Sequence, residues 1–176
     1  MEAHGFQPWG LEKEQCGFSR CGVDSSFERT FFVTSVTWQR RPAFRCKRTA
    51  KLFIQVLFEY RDHGVFLLHE FVLMPDHIHL LLTPKTTIAL ERAMQFVKGG
   101  SSHRVMKETG SRIEIWGKSF TNHRIRDEQD YHQHSRYIRL NPVRAKLVEQ
   151  EEAYPYSSAY PGFTLDLAPQ RLKPVA

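Results

Sequence analysis

Two apolar runs, residues 65–74 and 77–83, are separated only by Pro75-Asp76. Each has the length and composition of a β-strand. So short a break, opened by proline, favours folding the second run back beside the first as a hairpin. The second run begins His77-Ile78-His79. Alternation across the pleat sets both imidazoles on one face, while Ile78 and Leu80 turn the other way into a core.

The remaining segments fall into order around this hairpin. Phe31 to Trp38 is β-branched and aromatic and reads as a strand, followed by a basic loop from Arg40 to Arg48 with Pro42 inside it. Residues 49–61 place Leu52, Val56 and Tyr60 four apart, beside Phe53 and Leu57, as an amphipathic helix closed by Asp62-His63-Gly64. Residues 87–108 carry Leu90, Met94 and Val97 on one helical face, with Gly99-Gly100 expected to loosen or bend the helix. A short strand is expected around His123 to Arg126. Asp127 then caps a helix running to Leu140 and ended by Pro142, which disfavours helical geometry in the residue before it. Strand, helix, strand, strand, helix, strand and an extra helix is the split βαβ, ferredoxin-like order. The expected class is α+β: an antiparallel sheet with helices on one face, plus a C-terminal helix carrying Tyr137.

Residues 1–27 read as a flexible N-terminal extension, 28–160 as the domain proper and 161–176, with Pro161, Pro169 and Pro174, as an irregular tail. Three cysteines, Cys16, Cys21 and Cys46, match neither a zinc spacing nor a disulfide framework, which points to a reducing compartment. No stretch approaches the ~18 apolar residues of a membrane span, and no signal peptide is visible, so a cytoplasmic protein is expected.

The net charge of +6 favours an anionic partner. Between Arg92 and Lys146 stand twelve Lys and Arg against five Asp and Glu, and a second basic cluster runs through Arg40, Arg41, Arg45, Lys47 and Arg48. Either cluster alone is an ordinary solvated face. Flanking candidate chemistry, they favour phosphate binding.

The histidine pair can converge on one divalent ion. Imidazoles suit Mn²⁺ or Zn²⁺, and Mg²⁺ can occupy such a site when a phosphate oxygen completes it. Tyr137 by itself would be read as a helix aromatic packed on the sheet. Asn141 follows it by four residues, so both can face one point, though Asn141 also suits a helix C-cap. His134, one turn earlier, and His123 are auxiliary candidates. Arg136, Arg139 and Arg144 stand near Tyr137 in sequence. Trp116, Phe120 and Tyr156 interleave with Lys118, Arg124 and Arg126 as aromatics and cations for a single strand, with core packing favoured for Phe120. A metal-binding pair plus a tyrosine on a basic chain suggests phosphodiester chemistry on nucleic acid. A phenol titrating near ~10 needs nearby positive charge to act as a nucleophile.

The run from His69 through Met74-Pro75-Asp76-His77-Ile78-His79-Leu80-Leu81-Leu82, followed by Arg136-Tyr137-Ile138-Arg139-Leu140-Asn141-Pro142-Val143-Arg144-Ala145, resembles the REP-associated tyrosine transposases of the single-tyrosine HUH superfamily. Trp116, Phe120, His123, Ile125-Arg126-Asp127 and Tyr154-Pro155-Tyr156-Ser157-Ser158 agree, and the resemblance spans about residues 30–160. It implies that His77 and His79 are metal ligands, that Asn141 completes the shell and that Tyr137 is the nucleophile. It also implies Mg²⁺ or Mn²⁺, and single-stranded DNA with hairpin-forming palindromic repeats as substrate. A monomer and a homodimer both have precedent among relatives. Arg139 stands where relatives often carry His, Lys146 where Gly is common, and Asn122 where an acidic residue is frequent. The implied activity is strand cleavage and rejoining through a 5′-phosphotyrosine. The alternatives are a non-catalytic hairpin-binding protein, or a metal phosphoesterase using activated water.

Overall fold

The computed structural model describes residues 29–110, 112–169 and 172. The expected extension at 1–27, with Cys16 and Cys21, lies outside them.

Four strands, β1 (Phe31–Val36), β2 (Phe66–Leu73), β3 (His77–Pro84) and β4 (Thr121–Arg124), form one sheet in the order β2-β3-β1-β4. All neighbours are antiparallel. Helix α1 (Lys47–Asp62) crosses from β1 to β2, and α2 (Leu90–Thr109) from β3 to β4. A third helix, α3 (Glu128–Arg144), follows β4. This is the expected split βαβ arrangement with its additional helix.

Strand parity divides the apolar residues between two cores. Val33, Leu68, Phe71, Ile78, Leu80 and Leu82 face Ala50, Phe53 and Leu57 of α1 and Ala93, Met94 and Val97 of α2. Phe32, Val72 and Leu81 face the opposite way and pack with Ile125, Tyr131 and Ile138 beneath α3. The extra helix therefore covers the face that α1 and α2 leave open.

Three local expectations are corrected. Helix α2 runs unbroken through Gly99-Gly100. A Cβ on Gly100 would lie 2.7 Å from the Tyr60 ring, so this glycine admits the α1 side chain instead of bending α2. The strand expected to reach Trp38 stops at Val36, and Trp38–Arg40 forms a 3-10 turn with Gln39 and Arg40 at φ 53° and 52°. Helix α3 passes through Pro142 and continues to Arg144. Ile138 and Pro142, four residues apart on one face, are both buried, and Arg139 is hydrogen-bonded to Glu151 at 2.9 Å. Packing at these positions outweighs the local preference against helix before proline.

The C-terminal segment lies along the outer edge of β2. Leu73 N–H donates to Tyr156 O, Ser158 N–H to Phe71 O and Asp166 N–H to Leu68 O. The Asp166 carboxylate accepts from Arg61 at 2.8 and 2.9 Å and from Leu68 N–H at 2.8 Å, while Phe163 packs on Phe58 and Phe71. An edge strand that could pair with another chain is thereby covered. Among the described residues no helix is long and apolar enough to cross a membrane.

Candidate active site

His77 and His79 open β3 on the α3 side of the sheet, opposite Val36 and Thr34 of β1. Their ring centroids are 4.8 Å apart. His79 is only 5% exposed, its Nδ1 lies 2.8 Å from the Thr34 hydroxyl, and its Nε2 is buried without a hydrogen-bond partner. Burial, with repulsion from His77 whenever that ring is protonated, lowers the His79 pKa to about 3, so the His79 ring is neutral at physiological pH. An unpaired buried imidazole nitrogen costs about 1–3 kcal/mol unless something binds it.

His77 Nδ1 lies 2.6 Å from Asp76 Oδ1, and Asp76 Oδ2 is 3.3 Å from Arg40. Burial raises the Asp76 pKa, but hydrogen bonds from His77 and Arg40 outweigh it and hold the carboxyl below its usual range. A carboxylate accepting from Nδ1–H leaves the Nε2 lone pair of His77 available, the usual way of orienting a histidine ligand. Two imidazoles with free Nε2 atoms, one of them buried and otherwise unsatisfied, make a donor set that fits a divalent cation.

Helix α3 brings Tyr137 to this pair. Its half-buried ring meets His79 edge-on at 5.2 Å and Phe32 at 5.8 Å, and the Arg144 guanidinium lies 5.6 Å from its centre. Tyr137 also lines an open groove of about 590 Å³ with His132, Gln133, Arg136, Leu140 and Arg144. Asn141, one turn further along α3, is half-buried.

The other expected site residues divide. Arg126, Arg136 and Arg144 are exposed, and the last two line the groove. Arg139 is engaged by Glu151. Arg124 pairs with Phe31, which puts it on the α1/α2 side of the sheet, away from Tyr137. Lys118 is exposed on the loop whose carbonyls accept from Lys98 Nζ. Trp116, expected to stack on bases, is a core residue. It is 6% exposed, packs on Phe44 and Phe53, and donates from Nε1 to Ser101 Oγ at 2.9 Å. An indole whose faces and N–H are satisfied internally has no surface left for a base.

His123 and His134 converge away from the first pair, on Asp130. His123 Nε2 is 2.8 Å from Asp130 Oδ2, and His134 Nδ1 is 3.0 Å from Oδ1. Three residues at the main site were not singled out from sequence: Thr34, Asp76 and Phe32. Asp76 stands in the two-residue break of the hairpin, and its adjacency to His77 is the signal that sequence offers for it. Thr34 and Phe32 become visible only once the β1–β3 register is known.

The family model described as "Transposase IS200 like" matches residues 26–141. The REP-associated tyrosine transposase of Escherichia coli is 25% identical over 137 residues, covering 74% of this chain and 80% of that protein. A Haemophilus influenzae protein named for the same class is 30% identical over 126 residues, covering 62% of this chain and 68% of its own. Among solved structures, a REP-associated tyrosine transposase bound to a REP hairpin superposes with a TM-score of 0.63 at 22% identity, over 88% of this chain and 92% of that one.

Proposed function

The chain belongs to the IS200-like transposase family, and on that premise we propose that it cleaves and rejoins single-stranded DNA through Tyr137, with a divalent cation held by His77, His79 and Asn141. The observation that supports this most is the Tyr137 ring set edge-on against His79, whose Nε2 is buried and has no partner. Binding DNA alone needs none of these groups.

The Tyr137 phenol attacks the scissile phosphorus, forming an Oη–P bond as the P–O3′ bond breaks. The phenolic proton leaves Oη, and the departing 3′-oxygen gains one. Because the phosphodiester becomes a 5′-phosphotyrosine, a later 3′-hydroxyl can reverse the step and join strands. Arg144, whose guanidinium lies 5.6 Å from the centre of the phenol ring, stands where it can offset negative charge developing on the reacting phosphate. Arg136, on the same groove, is placed to grip a neighbouring phosphate. Mg²⁺ or Mn²⁺ in the site supplies Lewis-acid stabilisation of charge developing on the phosphate.

The substrate we infer is a hairpin-forming palindromic repeat, since a solved relative of the same fold is a complex with a REP hairpin. A labelled single-stranded hairpin tests the proposal. A covalent protein–DNA adduct that disappears in Tyr137→Phe is the expected result. Cleavage without adduct would instead make the protein a phosphoesterase using water, and retention without cleavage would make it a binding protein.

A further inference from the structure

His123 of β4 and Asp130 and His134 of α3 form a second cluster, outside the Tyr137 site. One ligand atom from each lies within 4.8 Å of the other two, and all three residues are half-buried. The imidazoles stack, with centroids 4.9 Å apart and planes at 20°. Asp130 also accepts from the Arg126 N–H at 3.1 Å, which anchors the carboxylate where β4 gives way to α3.

We propose that His123, Asp130 and His134 bind a divalent transition-metal ion of the zinc class, which ties the first turns of α3 to the sheet edge.

The donor set argues for that class of ion. Two imidazoles and one carboxylate suit Zn²⁺ or Co²⁺, whereas Mg²⁺ prefers oxygen donors and retained waters. Donors sharing a zinc ion at about 2.1 Å sit roughly 3–4 Å apart. The two Asp130 contacts at 2.8 and 3.0 Å therefore need to open slightly while the widest pair closes, which side-chain rotation can supply. His123 Nε2 is hydrogen-bonded to the Asp130 carboxylate, whereas His134 Nδ1 donates to the Asp130 backbone carbonyl at 2.8 Å and lies 3.0 Å from Oδ1. An ion takes the place of the protons in these contacts, so affinity falls as pH is lowered. The Asp130 carboxyl is already biased towards its anion: burial opposes ionisation, but the His123 and Arg126 hydrogen bonds prevail and lower its pKa.

The position gives such an ion a mechanical consequence. His134 is one turn before Tyr137, and the Phe32 ring touches His134 at 4.6 Å, His79 at 5.3 Å and Tyr137 at 5.8 Å. Fixing His134 to β4 fixes the helix that carries the phenol. Ion binding at the cluster stands independently of the proposed chemistry; only this positioning role rests on it.

The test uses the full chain, stripped of metal and titrated with Co²⁺ alone, read by visible ligand-field absorption and by Tm. His77→Ala/His79→Ala removes the other candidate site. That double variant is expected to retain one equivalent of Co²⁺ per chain and to gain roughly 5 °C in Tm at a hundredfold excess over Kd. Adding His134→Ala should abolish both effects. A double variant that takes up no Co²⁺ would reduce the cluster to a hydrogen-bonded helix cap and overturn the proposal, as would a triple variant that keeps the ion. Should the double variant not fold, His123→Gln in the native chain decides: loss of a full equivalent supports the site, and unchanged stoichiometry overturns it.

Discussion

The Tyr137 ring meets the His79 ring edge-on, at 5.2 Å between centroids and 72° between planes. One residue comes from the third position past the β2–β3 turn and the other from the middle of the last helix. Their contact exists because α3 crosses the sheet face that the odd-numbered residues of β3 present. A phenol thus stands beside an imidazole whose Nε2 has no protein partner.

Asp76 should govern the metal affinity of the site through His77. Orienting partners of metal-binding histidines are typically worth about 10–100-fold in affinity. In Asp76→Ala the Mg²⁺ or Mn²⁺ concentration giving half-maximal hairpin cleavage is expected to rise by about that factor, with most of the rate recovered at saturating metal. An unchanged half-maximal concentration would show that the 2.6 Å contact with His77 has no such role.

The arginines of α3 differ in their engagement, and salt dependence should report the difference. Each phosphate contact on a single strand contributes about −0.7 to the slope of log K against log salt. Arg136→Ala and Arg144→Ala are each expected to make the slope shallower by about that amount. Arg139→Ala should leave it unchanged, because its guanidinium is held by Glu151. Binding to a fluorescent hairpin across a salt series checks all three, and near-flat affinity in the native protein would contradict a phosphate-gripping face.

Acid should destabilise the metal-free protein through buried histidines. Burial lowers the pKa of His69, whose Nε2 is 2.8 Å from the Thr83 hydroxyl, and that of His79 to about 3. Unfolded histidines titrate near ~6.5, so below that pH the unfolded chain binds more protons and stability falls. The full contribution is present above ~6.5 and declines by about 1.4 kcal/mol per pH unit for each group within its window. Thermal melts should show Tm falling between about pH 7 and pH 5, less steeply in His69→Gln. Equal slopes in the two proteins would remove His69 from this account.

The C-terminal segment should contribute measurably to stability through Asp166. Its carboxylate takes two hydrogen bonds from Arg61 and one from Leu68 N–H, so Asp166→Ala unpairs a strand amide and strips a half-buried guanidinium of its two shortest hydrogen bonds, leaving it the Asp62 carboxylate at 3.2 Å. A loss of about 2–3 kcal/mol is expected. In a heat scan this corresponds to roughly 5–10 °C for a domain of this size. An unaltered Tm would mean that the segment merely lies against β2.

Local pattern was sufficient for the order of elements. A break of two residues between apolar runs dictates the β2–β3 hairpin, and period-four apolar spacing dictates α1. Two histidines at alternate positions of one strand must share a face whatever surrounds them. Helix ends and side-chain partners were less legible. The passage of α3 through Pro142 and the burial of Trp116 depend on neighbours far away in sequence, and such packing overrides local preference. Gly100 reads as a helix breaker until Tyr60 is seen against it.

What sequence alone determined, then, is an alternation: which residues share a face, and that His77 and His79 share one. Which face α3 would cover, and hence whether Tyr137 would meet those histidines or lie on the far side of the sheet, was decided by tertiary structure. Parity along a strand is set by bond geometry within each residue. The partner across a face is set by which apolar surfaces remain uncovered once α1 and α2 have packed, and that is a property of the whole chain.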